Sequence, residues 1–156
     1  GPCAGLGLVI ALYCDIRYAA QSAVFTSAFA ARGLIAEHGI SWTLPRLVGP
    51  ANAMDILCSA RKFGAQEAFA MGMVNRVLPD ADLMSAVRQY AGMVATTVSP
   101  RSVAVMKRQV WEAQFQTLAE SIVIGDHEMR ESFLSEDFKE GVAHFMEKRA
   151  PKFKGR

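Results

Sequence analysis

The first 15 residues, GPCAGLGLVIALYCD, hold three glycines among small apolar residues, and the first charged side chain is Asp15. A glycine-rich turn that leads into a short helix, predicted over residues 8–13, directs backbone N–H groups outward at the positive end of the helix dipole. Such a turn either binds an anion or oxyanion or packs a helix closely against a sheet. It is neither a dinucleotide-binding fingerprint nor a P-loop, because Ile10 replaces the third glycine and no GK[ST] follows.

The length and charge of the chain are those of a globular domain. Its 156 residues suffice for a hydrophobic core, and 51% of them are apolar. A net charge of +2, without basic residues interleaved with aromatic ones, argues against a nucleic-acid-binding surface. The longest uncharged apolar stretch, Pro2–Cys14, is too short to span a bilayer. We therefore expect neither nucleic acid nor a membrane as a partner.

The sulfur-containing residues and histidines form no metal-binding or disulfide pattern. Cys3, Cys14 and Cys58 are odd in number and form no CxxC pair, which favours buried, reduced thiols in a cytoplasmic protein. His127 and His144 have no partner at a metal-ligand spacing, so no metal site is predicted. Core filling is predicted for the methionines at positions 54, 71, 73, 84, 93 and 106.

Hydrophobic patterns divide the chain into a mixed first part and a helical second part. Alternation and β-propensity predict short strands around residues 16–18, 24–26 and 74–78. Helical periodicity predicts helices over 40–47, 51–59, 65–70, 85–97, 101–115, 118–133 and 137–148, with Gly49–Pro50 separating the first two. The predicted fold class is α/β. The apolar stripes of the consecutive last helices indicate packing against something else, such as another subunit.

Four segments in order along the chain resemble the crotonase superfamily, the enoyl-CoA hydratases and isomerases. They are GPCAGLGLVIALYCDIRYA at the start, GLIAEHGISWTLPRLVG at 33–49, SARKFGAQEAFAMGMVNRVLP at 59–79 and HFMEKRAPKFKGR at the end. Members of this family extend further at the N-terminus, and the opening of this chain matches their middle. The resemblance therefore implies the C-terminal part of a member, which we expect to be inactive alone.

The resemblance implies a division of the chain into two parts with different roles. Residues 1–80 would form the C-terminal portion of a crotonase-like ββα spiral that binds acyl-CoA. Residues 81–156 would form a helical region that builds a homotrimer or a dimer of trimers. The coenzyme A thioester would be the substrate, and no cofactor is expected.

An oxyanion site is implied at the opening turn. In the family, two backbone N–H groups hold the thioester oxygen while an enolate develops. Ala4 and Gly5 match the turn that contributes one of them, and Leu6 is the matching N–H donor. Because the donor is a backbone group, a leucine side chain at this position leaves it intact. The other donor would precede Gly1.

The same resemblance implies which groups carry protons. Val9 and Phe29 stand where hydratases of the family place two glutamates, and neither can accept a proton. Glu37 matches the single acidic residue of many double-bond isomerases, and Val9, Phe29 and Leu34 are expected to wall it. Glu37 could instead be an acid that interacts with the N-terminal dipole of the following helix. His38 either polarises Glu37 or lies at the surface. The resemblance also implies that the substrate is contacted by Val9, Phe29 and His38.

Coenzyme A contacts are implied near the C-terminus. Phe145 and Lys148 match a ring and an ammonium group that contact the adenine and phosphates in the family. They lie three residues apart on the last predicted helix and hence on one face. A lysine extending over a packed phenylalanine is the alternative. The closing KRAPKFKGR, with five basic residues, is either a solvated tail or part of a phosphate-binding patch.

These features together predict an enzyme that shifts the double bond of an enoyl-CoA with Glu37 as the only base. Removal of a proton at C2 and its return at C4 need one carboxylate and an oxyanion site. An enoyl-CoA hydratase with an unusual carboxylate is one alternative. A non-catalytic acyl-CoA-binding or assembly protein is another, since both usual glutamates are replaced.

Overall fold

The computed structural model describes all 156 residues and divides them into two compact units, Gly1–Val87 and Arg88–Arg156. The elements are, in chain order, β1 (Pro2–Ala4), α1 (Leu6–Leu12), β2 (Tyr18–Ala20), β3 (Val24–Thr26), a 3-10 turn (Ala30–Arg32), α2 (Ile40–Ser59), β4 (Phe63–Gly64), α3 (Ala65–Ala70), β5 (Arg76–Leu78), α4 (Leu83–Thr97), α5 (Pro100–Glu112), a second 3-10 turn (Ala113–Phe115), α6 (Leu118–Leu134) and α7 (Glu136–Glu147). This mixture of strands and helices confirms the predicted α/β class.

The first unit contains two small sheets. In one, β3 lies between β1, which it pairs with in parallel, and β4, which it pairs with antiparallel. In the other, β2 and β5 are parallel. Phe25 of β3 lies opposite both Cys3 and Phe63, and the Phe25 and Phe63 rings stack with their centroids 5.6 Å apart. This ring pair helps to fix the register of the three-stranded sheet.

The core of the first unit forms where α1 packs against α2. Leu8 and Leu12 of α1 are four residues apart, as are Ile40 and Leu44 of α2, and all four are buried. This spacing places each pair on one face of its helix. The α2 helix bends at Gly49, whose φ of 77° and ψ of 157° are non-helical. The break predicted at Gly49–Pro50 is therefore present.

The helices of the second unit begin at polar caps. Ser99, Thr117 and Ser135 cap α5, α6 and α7, and Thr117 forms a capping box with Glu120. Fully buried side chains are absent from α4, α5 and α6. Exposed apolar side chains of α5 and α6 include Met106, Val110, Leu118, Ile122, Val123 and Phe133. The trimer stays a prediction.

Three sequence expectations differ from the structure. Strands β1 and β4 were not predicted, because two or three residues are too few to show an alternating pattern. Cys14 and Cys58 are exposed free thiols, so their predicted burial is wrong, and only Cys3 is half-buried. Among the methionines predicted to fill the core, Met73 is buried, whereas Met54, Met84, Met93 and Met106 are exposed. Flexible, unbranched methionines tolerate both environments, so composition alone does not place them.

No helix combines the length and the apolar character needed to cross a membrane.

Candidate active site

The opening turn, at Gly5, connects β1 to α1. Gly5 has a φ of 51°, and its N–H donates to the carbonyl of Thr26 at 3.2 Å. That bond ties the turn to β3, beside the Ala4–Thr26 pair of the sheet. Leu6 is the first residue of α1, so its N–H has no acceptor within the helix. Its side chain is half-exposed, and the oxyanion role of its N–H stays a prediction.

Val9 and Phe29, the residues at the hydratase glutamate positions, belong to the hydrophobic core. They are 1% and 6% exposed, and they lie in one cluster of buried apolar side chains. Val9 and Leu8 face the core together with Leu12, because residues three and four apart lie on one side of α1. Neither side chain can exchange a proton. Their assignment as substrate-contacting residues stays a prediction.

Glu37 lies in the connection between the first 3-10 turn and α2. Its backbone carbonyl accepts a hydrogen bond from the Ile40 N–H at 3.1 Å, which closes a tight turn before the helix. The Glu37 side chain is 35% exposed, and Leu34 is 46% exposed. The carboxylate is therefore reachable from solvent, and the apolar wall expected around it stays a prediction.

The immediate neighbours of Glu37 hold unusual backbone conformations. His38 and Gly39 are both left-handed, with φ of 53° and 76°. His38 Nε2 lies 3.7 Å from Glu37 Oε2, which permits an ion pair when the imidazole is protonated. Gly39 is the N-cap residue of α2, and the Glu37 side chain makes no cap hydrogen bond to this helix. Glu37 therefore does not cap α2 through a hydrogen bond, and its alternative interaction with the dipole of this helix stays a prediction.

Tyr13, which the sequence patterns did not single out, contacts this connection. Tyr13 follows α1, and its hydroxyl donates to the backbone carbonyl of His38 at 2.7 Å. The bond joins residues 25 positions apart in the chain. No local sequence pattern encodes a contact of this kind, because it depends on how α1 and the segment before α2 pack.

Phe145 and Lys148 are both exposed near the end of α7, where Phe145 is 77% exposed. The helix ends at Glu147, one residue earlier than predicted, and Lys148 is its left-handed C-cap with a φ of 54°. Lys148 therefore lies at the end of the helix rather than within it, and the placement of the two side chains on one face stays a prediction. Their assignment to coenzyme A stays a prediction.

The basic C-terminal tail packs back along α7. Arg149 donates to both oxygens of Glu140 at 2.5 and 2.8 Å, and the Lys152 N–H donates to the same carboxylate at 2.6 Å. The Lys154 N–H donates to the buried Asp137 at 2.7 Å. The tail backbone is therefore held against α7, while the Lys154 side chain stays 63% exposed, and the alternative of a phosphate-binding patch stays a prediction. Two carboxylates of α7, Glu140 and Asp137, accept these hydrogen bonds, and the sequence patterns did not predict this pairing.

A mainly apolar cavity of about 340 Å³ lies in the first unit. Its lining includes Cys3, Leu12, Arg17 and Tyr18, and it includes none of the residues predicted for catalysis or substrate binding. The partly buried Arg17 donates to the Met73 carbonyl, and burial lowers the pKa of its guanidinium. Burial likewise raises the pKa of the Cys3 thiol. No group of three or more His, Cys, Asp or Glu residues is close enough to hold a metal ion.

Relatives with sequence similarity match this chain over its whole length. The sequence profile described as "Enoyl-CoA hydratase/isomerase" matches residues 1–156. A "Probable enoyl-CoA hydratase" of Rhodobacter capsulatus is 39% identical over 100% of this chain and 60% of its own length. The 1,2-epoxyphenylacetyl-CoA isomerase of Escherichia coli is 35% identical over 100% of this chain and 59% of its own length. The chain thus spans about 60% of the length of these relatives.

Solved structures show the same fold. An enoyl-CoA hydratase/isomerase of Mycobacterium abscessus, titled "probable", superimposes with a TM-score of 0.96 at 34% identity, over 100% of this chain and 61% of that one. The enoyl-CoA hydratase of Bacillus anthracis superimposes with a TM-score of 0.95 at 29% identity, over 100% and 60%. The chain belongs to the enoyl-CoA hydratase/isomerase family, within the crotonase superfamily.

Proposed function

We propose that the protein containing this chain shifts the double bond of an enoyl-CoA, with Glu37 as its proton shuttle. In a 3-enoyl-CoA, the carboxylate removes a proton from C2, and the electrons move into a dienolate whose negative charge lies on the thioester oxygen. The same carboxylate returns the proton to C4, which leaves the double bond between C2 and C3. One base and one oxyanion site suffice, because the proton removed is the proton returned.

The replacement of both hydratase glutamates carries this proposal. Val9 and Phe29 are buried and apolar, so neither can hold the water that hydration adds. The first 54 residues contain only two carboxylates, Asp15 and Glu37. Of these, Glu37 matches the isomerase position and is one-third exposed. It therefore combines access to a ligand with the position that the family uses for a single base.

The oxyanion role falls to the Leu6 N–H in this proposal. The Ala4–Gly5 turn holds that donor at the start of α1, where the helix dipole favours negative charge. A preorganised donor of this kind strengthens its hydrogen bond as the enolate forms, so it lowers the barrier rather than only binding the substrate. The acyl-CoA would contact Phe145 and Lys148 through the adenine ring and the phosphates.

The substitution Glu37→Gln in the full-length protein tests the base. We expect isomerisation of a 3-enoyl-CoA to fall by about 10² to 10⁴, because a general base contributes this much. Glu131→Gln is the matched control: Glu131 is an exposed residue of α6, and its loss should leave the rate within about twofold. Isomerisation by Glu37→Gln within about tenfold of the wild type would reject Glu37 as the base.

Hydration is the second candidate, favoured by the names of several relatives. To distinguish hydration from isomerisation, the rates of both reactions are measured with the wild-type enzyme, on crotonyl-CoA and on a 3-enoyl-CoA at equal concentration. Faster water addition than isomerisation would make the protein a hydratase. Tight binding of acyl-CoA without turnover of either substrate would instead identify a non-catalytic binding protein.

A further inference from the structure

The connection that carries Glu37 depends on contacts from outside itself for its conformation. Residues 33–39 form neither helix nor strand. Two successive residues, His38 and Gly39, are left-handed, and an L residue such as histidine adopts this region rarely. Such a conformation persists only when surrounding contacts hold it in place.

Tyr13 supplies the long-range contact. Its hydroxyl donates to the His38 carbonyl at 2.7 Å. The bond fixes the peptide group between His38 and Gly39, one residue beyond Glu37. On the near side, the Glu37 carbonyl accepts from the Ile40 N–H at 3.1 Å. The Gly39 carbonyl also accepts from the Trp42 and Thr43 N–H groups at 3.0 and 3.1 Å, so local bonds anchor the helix end of the segment, and the Tyr13 bond reaches it from the end of α1.

The geometry at Gly39 shows how closely Tyr13 approaches. A Cβ added at Gly39 would lie 2.6 Å from the Tyr13 hydroxyl oxygen, well inside a normal contact distance. The left-handed φ favours glycine at position 39, and a larger residue there would also displace the Tyr13 hydroxyl from its place beside the segment. Because the hydroxyl donates to the carbonyl of the His38–Gly39 peptide, rotation of that peptide would break this hydrogen bond.

The Glu37 carboxylate needs such support because its own side chain has little. It is 35% exposed, and the ionisable group beside it is the His38 imidazole, whose Nε2 lies 3.7 Å from the carboxylate. Proton transfer requires the reacting atoms to lie about 3 to 3.5 Å apart, and small displacements cost rate steeply. A carboxylate on an exposed connection reaches that geometry reliably only when its backbone is fixed.

We propose that Tyr13 is a positioning residue for the Glu37 base. The inference rests on the proposed function and extends it. The α1 helix begins at Leu6, the proposed oxyanion donor, and Tyr13 directly follows its last turn. One rigid element therefore carries the donor at one end and holds the base segment from the other. Tyr13 itself touches neither substrate nor reacting atoms in this arrangement.

The substitution Tyr13→Phe in the full-length enzyme removes only the hydroxyl. We expect kcat for isomerisation to fall about tenfold, while KM changes less than about twofold, because chemistry and not binding depends on the position of the base. Tyr90→Phe, in α4, is the matched loss of a phenolic hydroxyl elsewhere and should leave kcat unchanged. A merely structural role would lower the melting temperature and leave kcat per folded active site intact.

A double-mutant cycle with Glu37→Gln separates this inference from the proposed function. If Tyr13 acts through Glu37, then Tyr13→Phe has no further effect on the residual rate of the Glu37→Gln enzyme. An equal fall in both backgrounds, or a normal kcat in Tyr13→Phe alone, overturns the positioning role while Glu37 stays the base. Full activity of Glu37→Gln overturns both.

Gly39→Ala provides a second test of the same contact. We expect it to lower the melting temperature and kcat, since the new methyl group meets the Tyr13 hydroxyl. Combining it with Tyr13→Phe removes the atom that the methyl group meets, so the double variant should melt above Gly39→Ala alone. Independent, additive losses would contradict the contact.

Discussion

The Arg149 guanidinium donates to both carboxylate oxygens of Glu140, at 2.5 and 2.8 Å, and thereby holds the C-terminal tail against α7. The Lys152 N–H adds a third bond to the same carboxylate. A two-point contact between planar groups fixes orientation as well as distance. Since Lys148 precedes Arg149 directly, this contact also fixes where the chain leaves α7 and where the Lys148 side chain begins.

The Glu140–Arg149 contact predicts a defined acid sensitivity. The hydrogen bonds from Arg149 lower the pKa of Glu140 from 4.5 to about 2. A lowered folded-state pKa means that the contribution to stability is complete above pH 4.5 and is lost as the pH falls towards 2. We expect Glu140→Gln to melt below the wild type at pH 7, with the difference shrinking between pH 4.5 and 2.

Thermal melts of both proteins across that pH range measure the difference directly. Glu131→Gln serves as the control, because this exposed residue has no comparable contact, and its difference from the wild type should stay near zero. A difference between Glu140→Gln and the wild type that does not change with pH would contradict the linkage.

Ser99 has two roles in the second unit. Its hydroxyl oxygen caps α5 by accepting from the Ser102 N–H at 3.1 Å, and it donates to the buried Asp137 at 2.5 Å. Ser99→Ala removes the cap and leaves the buried carboxylate with one donor fewer. We expect a loss of about 2 kcal/mol in the free energy of unfolding, measured by urea denaturation.

Ser85→Ala is the control for the Ser99 prediction. The Ser85 hydroxyl is exposed and donates only to the Asp82 carbonyl, so its removal should cost less than about 0.5 kcal/mol. Equal effects of the two substitutions would show that the buried contact with Asp137 adds nothing to stability.

Substitution by alanine is expected to change the free energy of unfolding in opposite directions at Gly72 and Gly92. Gly72 follows α3 with a φ of 80°, and an added Cβ would lie 3.3 Å from the Leu47 carbonyl. Gly72→Ala should therefore destabilise by about 1 to 2 kcal/mol. Gly92 lies inside α4 with open space around it, so Gly92→Ala should stabilise by about 0.5 to 1 kcal/mol. Urea denaturation of both variants checks the signs, and a shared sign would refute the assignment.

Substitution of Phe145 or Lys148 is expected to weaken acyl-CoA binding without lowering the melting temperature. Both side chains are exposed, so Phe145→Ala and Lys148→Ala should leave the melting temperature unchanged. If they contact the adenine and phosphates of coenzyme A, each should raise KM for acyl-CoA about tenfold with little change in kcat. Met146→Ala, at an equally exposed neighbouring residue, should change neither parameter. An unchanged KM in both variants would remove these residues from the binding site.

The long helices could be predicted from sequence because each carries several turns of a periodic pattern. Helix α6 was expected over 118–133 and is present over Leu118–Leu134, and the break at Gly49–Pro50 is where the glycine and proline place it. The family was also recognisable, since four motifs occur in the right order. Strands β1 and β4, of three and two residues, could not be predicted, because so short a segment has no measurable period.

The sequence alone determined the fold class, the family and the identity of the one carboxylate proposed for proton transfer. It determined them because helical periodicity and motif order are local properties of the chain. Only the tertiary structure decided that Tyr13 holds the segment next to Glu37, and that Asp137 and Glu140 hold the basic tail. These contacts join residues 25, 17 and 12 positions apart. They exist because packing brings distant polar groups within hydrogen-bonding distance, and no local pattern records that outcome.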